Sequence, residues 1–169
     1  PHCPACGREI ARMSVQQIVD RIRSLPDGSR ILVLGPLVKD RKTEGERVFA
    51  AARRQGFVRV RVDGDLLDLD ETPPLDKYKR HSIEVVVDRL IVRHVDADGR
   101  PFDAEHPDPD AARLADSVET ALRLGEGVML VAPADAGAFE EQRYSEKYSC
   151  AYDGTTIDEL EPRSFSFNS

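Results

Sequence analysis

Two sets of residues carry chemistry by type and spacing. The first is Cys3-Pro-Ala-Cys6-Gly7, a knuckle whose tight turn aims two thiolates at one point and whose glycine permits close backbone approach. It supplies half a metal site. The third cysteine, Cys150, stands in Cys150-Ala-Tyr-Asp153, where Asp153 takes the place expected for a second CxxC cysteine. A carboxylate is an acceptable zinc ligand, so Cys3, Cys6, Cys150 and Asp153 are the candidate zinc set, with His2 as an alternative fourth ligand. The competing reading is a degenerate knuckle that folds without metal.

The second set is charged and lies on two strand-like runs, which are expected to be the central strands of one sheet. In Phe57 to Val62 (FVRVRV) the alternation puts Val58, Val60 and Val62 on one face and Phe57, Arg59 and Arg61 on the other. In Ile83 to Val92 (IEVVVDRLIV), seven of ten residues are Val, Ile or Leu. Strict alternation there groups Ile83, Val85, Val87 and Ile91, and sets Glu84 and Asp88 on the opposite face with Val86, Leu90 and Val92. Arg59, Arg61, Glu84 and Asp88 are therefore expected together on one partly solvated sheet surface. They form either cross-strand ion pairs, each contributing roughly 0.2–1 kcal/mol, or a docking face for another protein. Lys77, Lys79, Arg80 and His81 make a basic cluster just before the second run, a weaker candidate for contact with DNA phosphates.

Familiar catalytic patterns are missing from the sequence. There is no GxxxxGK[ST] phosphate loop, and no GxSxG, HExxH or GxGxxG; the four histidines lie beside charged or loop residues. No residue set reads as an active site.

The elements that would position these residues follow from periodicity. Ser14 with Gln17 fits a capping box, opening a helix with Val15, Ile18, Val19 and Ile22 on one stripe and ending at Pro26-Asp27-Gly28. Residues 30–36 read as a short buried strand closed by Gly35 and Pro36, with Lys39, Arg41 and Lys42 in a polar loop beyond. A second helix spans about 44–55 with Val48, Phe49 and Ala52 inward and Gly56 at its end. FVRVRV then turns at Asp63-Gly64 into a return strand over 65–69. Residues 94–110 are acidic, contain proline and lack periodicity, which predicts a mobile loop without an EF-hand spacing. A third helix over about 111–124 carries Leu114, Val118, Ala121 and Leu122; a buried strand at 127–132 and another at 145–149 follow. The order predicts an α+β fold, a mixed but largely antiparallel sheet packed by about three helices, with a small knuckle module made by the two chain ends.

Length and composition fit one ordinary domain with a small appendage: 169 residues, 40% hydrophobic and 33% charged. A net charge of −7 disfavours a dedicated nucleic-acid binder. No apolar run reaches the roughly eighteen residues of a membrane helix and no secretory leader pattern opens the chain, so the expectation is a cytoplasmic protein without a membrane partner. The opening at Pro1 reads as a fragment of something larger.

Six stretches, CPACG, SVQQIVDRI, QGFVRVRVDG, LDKYKRHSIEVVVDRL, RLADSVETAL and ELEPRSFSFNS, in this order and spacing, resemble the UvrA family of bacterial nucleotide-excision-repair ATPases. The resemblance covers nearly the whole chain; residues 94–110 and 133–143 look particular to this sequence. It implies an insertion in the first ATP-binding half, between Walker A and signature regions that are absent here, so this chain would bind no nucleotide and catalyse nothing by itself. It implies a UvrB-binding domain at 13–145, flanked by a zinc-type module and connection at 1–12 and 146–169. Partners implied are UvrB, a transcription-repair coupling factor using the same surface, and damaged DNA through the full-length protein. Zinc is the implied cofactor, although Asp153 departs from the family's CPxCG or histidine pattern. Arg59, Arg61, Asp88 and Glu84 become the candidate UvrB contacts, suited to bidentate and salt-sensitive pairing.

Overall fold

A computed structural model describes residues 12–135 and 137–146. Helix α1 (Val15–Arg23) starts where the capping box is closed: Gln17 N donates to Ser14 Oγ at 3.2 Å, and Ser14 N donates to Gln17 Oε1 at 2.8 Å. Its apolar stripe of Ile18, Val19 and Ile22 is buried. Helix α2 (Gly45–Arg54) buries Phe49 and Ala52, and ends before Gly56, whose φ of +91° is the left-handed conformation that favours glycine. Helix α3 (Ala111–Leu124) buries Leu114, Ser117, Val118, Ala121 and Leu122.

Six strands, β1 (Arg30–Lys42), β2 (Arg59–Val62), β3 (Asp65–Asp68), β4 (Arg80–Ile91), β5 (Val128–Pro133) and β6 (Gln142–Ser145), form one antiparallel sheet in the order β3-β2-β4-β1-β5-β6. The fold is α+β, with three α-helices against this sheet among the described residues. The β2–β3 hairpin turns at Asp63 and Gly64, both with positive φ (50° and 92°), as a type I′ turn requires.

Several expectations are corrected. The central pair is β4 with β1, because β2 has only the short β3 outside it. Strand β1 does not stop at Gly35-Pro36 but runs to Lys42, so Lys39, Arg41 and Lys42 are strand residues and no loop. Proline is tolerated there because β5 pairs with β1 only up to Leu34, leaving β1 with one neighbour from Gly35 onward. Gly35 itself is set by close packing, since a Cβ would lie 3.0 Å from Leu124 Cβ. Gln142–Ser145 is a strand not expected from the sequence, with Tyr144 buried opposite Met129; most of the strand expected at 145–149 lies outside the described residues. Residues 94–110 are internally bonded rather than featureless. Asp96 Oδ1 accepts from Asp98 N and Arg100 N at 2.8 and 2.9 Å, and His106 Nε2 lies 2.8 Å from Asp96 Oδ2. His94 ties the loop to α1 through Arg23 O at 2.9 Å.

The alternation in β4 is interrupted. Val33 pairs with Asp88 but Leu34 pairs with Val86, so Val87 is an extra residue, a β-bulge. One inserted residue exchanges the two faces for everything beyond it. Ile83 and Val85 therefore share the helix-covered face with Leu90 and Val92, while Ile91 is exposed. The helical face has two linked clusters. Ile31, Val33, Met129 and Val131 lie under α1 and α3, and Val38, Val60, Val62 and Ile83 lie under α2, joined by Val87. On the opposite face Leu32, Leu34, Val86 and Ala132 make a third, smaller cluster.

Candidate functional site

Arg61 is the hub of the face opposite the helices. Its register partner in β4 is Glu84, and Arg61 Nε donates to Glu84 Oε1 at 2.6 Å. Its two terminal nitrogens hold Glu141, just before β6, with Nη2 at 3.1 Å from Oε2 and Nη1 on Oε1. Three strands separate β2 from β6 in the sheet. At about 4.8 Å per strand a flat sheet would hold Arg61 and Glu141 about 19 Å apart, so the sheet is curled and this face is concave. The hollow, about 440 Å³, is lined by Arg61, Glu84 and Glu141 with Pro36, Val128 and Leu130. One guanidinium serves two carboxylates. Burial pulls Arg61 down, but its bonds to Glu141 and Glu84 outweigh this and hold it above the ordinary arginine value. Burial pushes Glu84 up, more than Arg61 lowers it, and the charges of Glu141 and Asp63 add to the rise.

Asp88 is on the other side. The bulge turns it toward α3, where Arg113 grips it bidentately (Nε to Oδ2 2.9 Å, Nη2 to Oδ1 2.6 Å) and Ser117 Oγ donates at 2.8 Å. Arg113 and Ser117 are four apart, hence neighbours on one helix face. Burial raises Asp88, but these bonds and the Arg89 N–H outweigh it and keep the carboxyl below its usual range. The expected grouping of Arg59, Arg61, Glu84 and Asp88 on one surface is thus divided into two sites. Arg61 and Glu84 are brought together; Asp88 is not among them.

The second site is a notch of about 430 Å³ where β2 begins beside the β4 bulge. Arg59, Arg89 and Arg113 line it around Asp88, next to Val58, which is 66% exposed. Arg59 keeps a loose pair with Asp68 at 3.4 Å and its side chain is 45% exposed; the Arg113 side chain is 57% exposed. Arg89, Arg113 and Glu141 were not picked out from sequence. Strict alternation assigns Arg89 to the core-facing side, and only the bulge releases it.

Beside the concave hollow His81 is held between acceptors, with Nδ1 2.6 Å from Asp63 Oδ2 and Nε2 3.0 Å from Asp76 O. Two acceptors require two ring protons, so the imidazolium is favoured. His81 is accordingly raised, first by Asp63 and then by the Asp76 carbonyl, and Asp63 is lowered, first by His81.

A family model described as the UvrA interaction domain matches residues 14–135. The chain belongs to this family. It is similar over its whole length to proteins named UvrABC system protein A, at 51% identity in Methanothermobacter thermautotrophicus, 45% in Clostridium perfringens and 44% in Bacillus subtilis. It spans 16% of the length of each of these relatives.

In this UvrA interaction domain Lys77 and Lys79 lie in an exposed turn, and Arg80 opens β4 and reaches Asp40 at 3.7 Å. The candidate zinc residues Cys3, Cys6, Cys150 and Asp153, and His2, lie outside the described residues. Among the described residues no helix is long and apolar enough to cross a membrane.

Proposed function

We propose that this chain is a non-catalytic docking domain of a nucleotide-excision-repair UvrA, occupying residues 13–145 and binding UvrB. The observation that carries the reading is the notch: three guanidiniums, Arg59, Arg89 and Arg113, gathered around Asp88 beside an exposed valine. Guanidiniums pair bidentately with a partner's carboxylates, and Val58 supplies an apolar contact that excludes water next to them. Asp88 fixes Arg113 in place and leaves a site of net positive charge. Arg61 and Glu84 contribute indirectly, because their charges are engaged with each other and with Glu141, which ties β2 and β4 to the segment before β6. A transcription-repair coupling factor carrying a UvrB-like module would compete for the same notch.

Calorimetric titration of the chain with its cognate UvrB tests this, beside Arg59→Glu and Arg89→Glu variants whose folding is checked by circular dichroism. Each reversal is expected to weaken binding by at least about tenfold, or about 1.4 kcal/mol, and binding by the parent is expected to weaken with added salt. Full affinity in both variants would remove the notch from the interface.

A further inference from the structure

The end of the β1–β4 ribbon carries a surface that the docking reading does not use. Because β1 continues past Pro36, the register sets Arg41 opposite His81 and Lys42 opposite Arg80. Two basic stretches far apart in sequence thereby become one. Lys77, Tyr78 and Lys79 extend it through an exposed turn fixed by Asp76, whose Oδ1 accepts from Tyr78 N at 2.9 Å and whose carbonyl accepts from Lys79 N at 3.1 Å. Arg41, Lys42, Lys77, Lys79 and Arg80 are all exposed, and among the described residues only Arg80 of the five has an ion-pair partner, Asp40. Counting Asp40, Asp63, Asp76 and nearby Glu44 against these five cations still leaves the tip positive, by one, in a chain whose total is −7. Tyr78 is 73% exposed, with Lys77 Nζ 5.4 Å from its ring centroid.

We propose that this ribbon tip binds an unpaired nucleic-acid strand, the five cations following its phosphates and Tyr78 stacking on a base. Exposed aromatic rings set among lysines and arginines are the combination that unpaired strands use, because every base offers a π-face and every linkage a charge. An acidic protein segment would use the cations but has no need of the exposed ring. The tip stands nine residues along β4 from Arg89, about 30 Å at strand rise, so it is separate from the notch.

Fluorescence anisotropy with an oligothymidylate of about 16 nucleotides reads the proposal directly on the 169-residue chain. Binding is expected at low salt, with the slope of log K against log salt flattened by about 1.4 in a Lys77→Gln/Lys79→Gln double variant. Tyr78→Ala, an exposed change that leaves the fold intact by circular dichroism, is expected to weaken the oligothymidylate by about tenfold or more and to leave duplex binding unchanged. No binding at low salt, or an unchanged slope in the double variant, overturns the site. Equal binding of polyglutamate together with an inert Tyr78→Ala assigns the tip to an acidic protein instead and equally overturns the proposal. Loss of UvrB binding in the Arg59 and Arg89 variants bears on neither result.

Discussion

Replacing Arg61 with leucine tests the concave network most sharply. Glu84 is 6% exposed and takes a 2.6 Å hydrogen bond from Arg61, whose own side chain is 16% exposed. Removing one member of a buried pair costs about 3–5 kcal/mol, chiefly because the other charge stays buried without compensation. Glu141, the second partner, is 38% exposed and can return to water, so it adds little. The lower end, about 3 kcal/mol, is therefore expected, which corresponds to a fall in Tm of about 6–12 °C for a chain of this size. Urea unfolding followed by circular dichroism gives the value. The pH dependence has a defined sign. With Glu84 raised above its unfolded value in the folded state, the folded protein holds the extra proton. Without Arg61 the Glu84 carboxyl rises further still, so the deficit of Arg61→Leu is smallest at low pH, where both folded proteins hold that proton, and grows as pH rises through the parent's folded value toward the variant's higher one. A double variant, Arg61→Leu/Glu84→Leu, should recover most of the loss, since it removes the stranded charge. A cost under about 0.5 kcal/mol for Arg61→Leu, or a double variant as unstable as the single one, would refute the account.

Three further outcomes follow from the packing. Gly125→Ala is expected to destabilise the domain by about 1–3 kcal/mol through overpacking, since its Cβ would lie 1.9 Å from Val128 O and 2.7 Å from Pro36 Cδ; thermal unfolding reads this. Phe49→Ala, at a residue 1% exposed, should cost about 3–5 kcal/mol in chemical unfolding and leave the α1–α3 half of the core less affected. The raised His81 makes its pair with Asp63 stabilising below the unfolded histidine value and lost as pH rises through the higher folded value. The lowered Asp63 removes the same contribution in strong acid. Unfolding midpoints of parent and His81→Asn should therefore differ most in mildly acidic buffer and converge at alkaline pH.

Local signals in this sequence were legible where a residue's role depends on its neighbours along the chain. The Ser14–Gln17 box, the Asp63-Gly64 turn and the stripes of α1 and α3 needed nothing beyond spacing. What periodicity could not carry was the single inserted residue at Val87, because a bulge depends on how β1 and β4 share their twist. That one residue decided which side Asp88, Arg89 and Leu90 occupy, and with it the membership of the candidate site. The Gly35-Pro36 pair misled for a related reason. Both residues normally punctuate a strand, but here one admits α3 and the other lies where β1 has lost its second neighbour. Glu141 was out of reach for sequence reasoning, since its contact with Arg61 exists only because the sheet curls.

The bulge also explains how one small sheet can keep two charged surfaces from neutralising each other. Had β4 alternated without interruption, Asp88 would stand on the face of Glu84, within reach of the arginines of β2, and Arg59 would have an acidic neighbour there. Instead Asp88 is handed to Arg113 and Ser117 of α3, and Arg89 emerges beside Arg59 at the notch. Glu84 keeps Arg61 for itself and Glu141. The carboxylates thereby take internal roles, and Arg59 and Arg89 stay exposed at the notch. Because Val87 is the inserted residue, deleting it should leave a regular strand in which Asp88 still pairs with Val33 toward α3 and Arg89 still stands opposite Leu32 on the open face. The expected result is a domain that keeps a cooperative transition in urea unfolding and keeps its UvrB affinity. A deletion that folds but loses that affinity would show that the faces of Asp88 and Arg89 are not what governs the notch.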